Sequence, residues 1–210
     1  MSDTEHLLVV KTVQSGAFRV LVEALKEILT DTNLIFEPTG IKMMATDNSD
    51  TVLIHMKLEA DKFEHYYCPE KTVIGLNMNN LYKLIKTMGN NDILTMAIPK
   101  MSPNRISLKI NNMEKQSQTM FRLNLLDLPH PEISIPPAKF ETELTLPSGD
   151  FQKLIRDMTN IGDKIEIKSS GENLILSCEG DFAEQETILS ETQNGLSFSV
   201  KSQPEKPIQG

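Results

Sequence analysis

The chain has 210 residues, 39% hydrophobic and 24% charged, a balance that excludes a disordered protein and allows one large domain or two small ones. Net charge is −8, so any attraction to nucleic acid must come from a segregated basic face and not from the overall charge. Trp is absent and aromatics are 5%, which leaves aliphatic side chains and 11 Met to fill the core.

The acidic, polar start MSDTEH is unlike a targeting peptide, and no apolar run approaches the length of a membrane span. The expectation is a soluble intracellular protein. LLVVKTV then reads as a strand. Phe18, Leu21, Val22 and Leu25 fall on one helical face, with Ser15 placed as N-cap. GIKMMAT, TVLIHMKL and TVIGL read as strands separated by turn signals such as PTG. In NMNNLYKLIKTMG, Leu81, Leu84, Ile85 and Met88 repeat at i, i+3, i+4 and i+7, the mark of an amphipathic helix, and Gly89 stands where it stops. ILTMAI and RISLKIN follow; in the second, Ile106, Leu108 and Ile110 alternate with polar residues, so one side of a sheet meets a core. Four prolines in LLDLPHPEISIPPAKF, Leu125 to Phe140, exclude a helix or central strand and mark an extended connector containing a domain boundary. A third helix carries Phe151, Leu154, Ile155 and Met158, with Ser148 as N-cap and Gly162 as stop; DKIEIK and LSFSV close the series as strands.

Two stretches open alike: SGAFRVLVEALKEIL at Ser15 and SGDFQKLIRDMTNIG at Ser148, a spacing of 133 residues (148 − 15). On that ruler residue 210 corresponds to Asn77 (210 − 133), just before the second helix. The second copy is therefore expected to stop about halfway. The apolar stripe of its helix is then expected to be partly uncovered, at ~1.5–3 kcal/mol per large side chain, and the isolated chain to be aggregation-prone or to need a missing segment.

The three helices carry Arg19, Lys26, Lys83, Lys86, Lys153 and Arg156, six of the 21 basic residues, but only Glu23, Glu27, Asp150 and Asp157 of the 29 acidic ones. Solvated helix faces carry Lys and Arg in any protein, and a surface turned toward a polyanion does so too. Catalysis finds no foothold. The four His are scattered, and DNSD, Asp47 to Asp50, lacks calcium-loop spacing. No Ser-His-Asp order, phosphate-cradling glycine loop or CxxC is present. Cys68 and Cys178 have no metal-ligand spacing and are expected to be reduced thiols. Neither an enzyme, a metal nor a cofactor is expected.

SGAFRVLVEALKEIL, GIKMMATDNSD, FEHYYC, GLNMNNLYKLIKTMGNND and LPSGDFQKLIRDMTNIGD, in that order, resemble the proliferating cell nuclear antigen family of DNA sliding clamps, from about Leu8 to the final PEKPIQG. The resemblance implies an α+β clamp fold of two similar domains, each of β-sheet with helices on one face: 1–126 as the first, 127–139 as connector, and 140–210 as the N-terminal part of the second. It implies that three copies join head to tail into a ring around duplex DNA. The ring would tether a DNA polymerase and other proteins bearing a short PIP-box peptide, would be opened by a clamp loader, and would work in the nucleus or wherever DNA is replicated. Arg19, Lys26, Lys83, Lys86, Lys153 and Arg156 match basic channel positions, while Val20 stands where a lysine is common and Asn160 where a histidine can occur. The partner-peptide pocket maps to Thr46, Asp50, Leu53, Ile133, Ile135 and Pro136, with Asp50 in place of a histidine and Thr46 in place of a methionine. The subunit joint maps to Phe121 in TMFRLNL and, opposite it, Lys153, Met158, Thr187 and Leu189. Gly171 occupies the place of a lysine that carries ubiquitin in eukaryotic members. The other reading is a subunit of a heteromeric checkpoint-type clamp, or a shortened regulatory clamp.

Overall fold

Alternation of apolar and polar residues builds most of this molecule. The computed structural model describes residues 3–129, 140, 142–170, 173–200 and 208–209. The chain divides into two compact units, Met1–Ser134 and Ile135–Gly210.

In the first unit, β1 (His6–Thr12) leads into α1 (Ser15–Lys26), followed by β2 (Asp31–Glu37), β3 (Gly40–Thr46), β4 (Leu53–Glu59), β5 (His65–Tyr67) and β6 (Thr72–Asn77). Then come α2 (Met78–Ile85), β7 (Ile93–Pro99), β8 (Arg105–Asn112) and β9 (Ser117–Asn124). Two antiparallel sheets result, ordered β5-β1-β7-β8-β9 and β4-β3-β2-β6. A single buried cluster takes residues from both sheets and both helices, among them Leu8, Val22, Phe36, Met43, Ile85 and Leu108. In β8, Ile106, Leu108 and Ile110 point inward, as the alternation requires. Gly40 opens β3 at φ +139°, and a Cβ there would lie 2.0 Å from the Leu58 carbonyl oxygen, so only glycine fits this turn. The segment after β9 is held against the second sheet: the Leu126 amide donates to the Gly75 carbonyl (2.9 Å), and Asn33 Nδ2 donates to the Pro129 carbonyl (2.8 Å).

The second unit repeats the start of the first. β10 (Glu143–Thr145) precedes α3 (Ser148–Thr159), then β11 (Ile165–Ser170), β12 (Asn173–Glu179), β13 (Glu184–Ser190), β14 (Ser197–Val200) and β15 (Ile208–Gln209). Its four-stranded sheet, β13-β12-β11-β15, has the order of β4-β3-β2-β6, and β10 pairs with β14 as β1 pairs with β5. The 133-residue ruler carries Ser15–Lys26 onto Ser148–Thr159 and Gly40–Thr46 onto Asn173–Glu179 without a slip. Among the described residues α2, β7, β8 and β9 have no counterpart in this unit.

Two helix starts differ from the sequence expectation. Gln14 and Pro147, not Ser15 and Ser148, occupy the N-cap positions, and neither caps with its side chain. Ser15 is in the first turn, and its hydroxyl donates to the Gly89 carbonyl (2.8 Å) instead of capping the helix. α2 has a side-chain cap, Asn77 Oδ1 accepting from the Asn80 amide (2.9 Å).

Candidate nucleic-acid interface and partner surfaces

The amphipathic pattern that buries one side of each helix leaves its cations on the other. In α1, Val22 and Leu25 are buried, while Arg19 and Lys26 are half-buried at the flank. In α2, Leu81 and Ile85 are buried and Lys83 is exposed, as is Lys86 at the C-cap. In α3, Lys153 and Arg156 are exposed. Cations near a helix C-terminus also oppose the partial negative charge there, which favours Lys26, Lys83 and Arg156 in their last turns.

The six cations are not alike. Arg19 Nη2 donates to Asn90 Oδ1 (3.3 Å), and its Nε is buried without a partner among the described residues. Asn90 is placed by the first turn of α1, where the bare Gly16 backbone leaves room for it. Lys26 is ion-paired with Glu27 and lies 4.9 Å from the Tyr82 ring centroid, over its face. The Glu27 hydrogen bond raises the Lys26 ammonium above its ordinary value, so it stays charged. The Tyr82 hydroxyl donates to Glu23 Oε1 (2.6 Å), tying α2 to α1. That bond also raises the Tyr82 phenol above its ordinary value. Lys83, Lys86, Lys153 and Arg156 have no ion pair among the described residues. The sequence reading missed Asn90, Tyr82 and Glu23. The signal for Asn90 was present in GNND, which reads only as a turn.

Of the residues expected in a partner pocket, Thr46, Asp50 and Leu53 come together where β3 turns into β4. Thr46 and Leu53 are cross-strand partners, and the Thr46 hydroxyl donates to Asp50 Oδ1 (2.6 Å). Asp50 sits at φ 54°, a left-handed conformation that Asp tolerates better than most side chains. The turn is organised by Asp47, whose carboxylate accepts from the Ser49 hydroxyl and from the Thr51 and Val52 amides (2.8 Å each). Those bonds, the Ser49 one first, hold its carboxyl down at about 2. Its oxygens are thus occupied by its own turn, and no three His, Cys, Asp or Glu side chains converge as a metal site among the described residues. Leu53 is 42% exposed. Ile133, Ile135 and Pro136 lie outside the described residues, as does Gly171.

Of the residues expected at the joint, Phe121, Thr187 and Leu189 occupy terminal strands and Lys153 and Met158 lie on α3. Phe121 is on β9, the last strand of its sheet, and packs half-buried on the first unit's core; Thr187 and Leu189 are half-buried on β13, the last strand of its own. Lys153 is exposed. Met158 is a correction: it is fully buried among Leu174, Leu176 and Cys178, so it supports its own unit and offers no surface to a neighbour. Phe151, Leu154 and Ile155 are half-buried, but Phe18 and Leu21, the counterparts of the first two in the first unit, are half-buried as well, so only Ile155, set against the buried Val22, is less covered. Both thiols are free and buried, and burial raises that of Cys68.

A sheet-and-helix plan whose first part recurs in the second unit, with cations on the outer faces of the helices and open strands at the sheet ends, fits the sliding-clamp class of fold. The comparisons agree. Residues 7–131 match the model for the proliferating cell nuclear antigen N-terminal domain, and 134–201 that for its C-terminal domain. The chain is 36% identical over 199 residues to "Probable DNA polymerase sliding clamp 1" of Paramecium bursaria Chlorella virus 1, covering 93% of this chain and 76% of that one. It is 26% identical over 188 residues to "Proliferating cell nuclear antigen" of Chaetomium thermophilum, covering 90% and 72%. The crystal structure of proliferating cellular nuclear antigen from Entamoeba histolytica superposes with a TM-score of 0.86 at 25% identity, covering 97% of this chain and 79% of that one. This chain belongs to the proliferating cell nuclear antigen family, whose members are scaffolds and not enzymes.

Proposed function

We propose that this chain is a subunit of a ring that encircles duplex DNA and holds a DNA polymerase on it. Residues 1–126 form the first clamp domain, 127–139 the connector and 140–210 the N-terminal part of the second. Three copies join head to tail, the β9 edge of one meeting the β13 edge of the next, with Phe121 on one side and Lys153, Thr187 and Leu189 on the other. Arg19, Lys26, Lys83, Lys86, Lys153 and Arg156 face the phosphates. Contacts of this kind ignore sequence and weaken with salt, which is what a ring that must both stay on and slide requires. Thr46, Asp50 and Leu53, with Ile133, Ile135 and Pro136, receive PIP-box peptides of the polymerase and other replication and repair proteins. A loader opens the ring, in the nucleus or at another site of DNA replication. The effect is kinetic: a tethered partner stays at high local concentration near its template.

The observation that carries this reading is the segregation of charge in an acidic chain, with exposed cations repeated on the helices of both units. The relative from the Chlorella virus, named a DNA polymerase sliding clamp, supports it. The test is topological. With a loader present, the chain is expected to co-elute with nicked circular DNA and to be lost when the circle is cut. Equal retention on circular and linear DNA would overturn the ring.

A further inference from the structure

The two strands proposed to meet at the joint carry opposite charge. On β9, Phe121 and Leu123 pack on the core, so Met120, Arg122 and Asn124 project from the other face. Arg122 is opposite Ser107 of β8, with Arg105 and Lys109 at the diagonal positions on the same face. On β13, Leu189 packs inward, and Glu184, Glu186 and Ile188 project outward and are exposed. Glu184 lies directly opposite Glu179 of β12, and like charges so placed are destabilising unless a cation reaches them. Among the described residues Arg122, Lys109, Glu179, Glu184 and Glu186 have no ion-pair partner.

The internal repeat provides a control. β4 holds in the first unit the place of β13 in the second, yet its outward row is Leu53, His55, Lys57 and Glu59, and Glu59 is already engaged by Lys57 (3.3 Å). A β9 edge bearing Arg122 therefore meets two unpaired carboxylates on β13 and none on β4. A second β9 edge would repel it.

Resting on the ring proposed above, we infer that the joint is keyed by charge, with Arg122 of one copy seated between Glu184 and Glu186 of the next. Residues two apart on one strand share a face, so whichever carboxylate stands directly opposite, the other is its diagonal neighbour. The strand ladder supplies adhesion common to any pair of open edges. The charges supply choice of partner, because a like-charge pairing across an interface is strongly penalised.

Sedimentation of the full chain across a salt series tests this. Assembly is expected to weaken as salt rises. Arg122→Glu should weaken it roughly tenfold or more, and adding Glu184→Lys and Glu186→Arg to that variant should restore it to within a few-fold. If Arg122→Glu does not fold, as judged by circular dichroism, the pair Glu184→Lys and Glu186→Lys is read in its place, with the same loss expected. A folded variant that assembles like the parent, or a reversed chain that stays apart, would overturn the charged key and leave the clamp standing. A parent chain that fails to assemble at any salt would overturn both.

Discussion

The two units share a plan and differ in depth. Across the repeat, Ile41 and Met43 of β3 correspond to Leu174 and Leu176 of β12, and all four are buried. Val22 of α1 is 2% exposed, whereas its counterpart Ile155 is only half-buried. The first unit assembles 22 buried residues into one cluster and the second, among the described residues, five. What separates them is the layer formed by α2, β7 and β8, which supplies Leu81, Ile85, Leu94, Ile98 and Leu108 to the first cluster. A repeat thus transmits strand register and helix start faithfully, while burial depends on the elements that close over them.

The largest expected effect breaks the deeper core. Ile85→Ala should cost the first unit about 2–5 kcal/mol in urea unfolding, and Leu154→Ala in half-buried α3 about 1 kcal/mol. Equal costs would mean that the two cores are equally closed. Next, Gly40→Ala should cost about 1–3 kcal/mol, because of its φ of +139°. The matching change in the repeat, Asn173→Ala, loses only the exposed hydrogen bond from the Ser190 hydroxyl and should cost less, about 0.5–1 kcal/mol. Similar thermal shifts for both would show the two turns to be alike.

A smaller effect concerns the helices. Lys83→Ala should reduce the slope of log affinity for DNA against log salt by about 1. Lys26→Ala should reduce it less, because Glu27 already competes for that charge. The smallest effect is confined to one turn. Asp47 has a folded value of about 2 against 3.8, so its contribution is present above the higher value and is lost as pH falls through the lower. Amide shifts of Thr51 and Val52 in the folded chain should therefore titrate with a midpoint near the lower value. The Gly180 amide, in the corresponding turn of the second unit, bonds the Ala183 carbonyl and should not follow them.

Much of this was legible in the sequence because it is local. RISLKIN and GIKMMAT are strands as their alternation requires, and the helix stripes face inward. β2 and β12 were not picked out: Ile35 and Ile175 interrupt the alternation of Leu34 and Phe36, and of Leu174 and Leu176, on faces that only the sheet reveals. The start of α1 slipped by one residue because an N-cap serine and a serine bonded to a distant carbonyl look the same in one dimension. The cations themselves could be read off. Their partners could not, since Arg19 meets Asn90 across 71 positions and Tyr82 meets Glu23 across 59.

The pinning of Lys26 between Glu27 and the Tyr82 ring bears on motion along a track. A mobile ammonium on an open stem follows a phosphate until it lets go, and each such grip is a small well in the path. A cation whose charge is already shared at home digs a shallower one. On the proposed DNA face, α1 would then act as the smooth rail and Lys83 and Lys86 as the teeth. Glu27→Gln should lower the one-dimensional diffusion coefficient of the ring without changing how it closes, and single-molecule tracking on stretched DNA would read that friction directly.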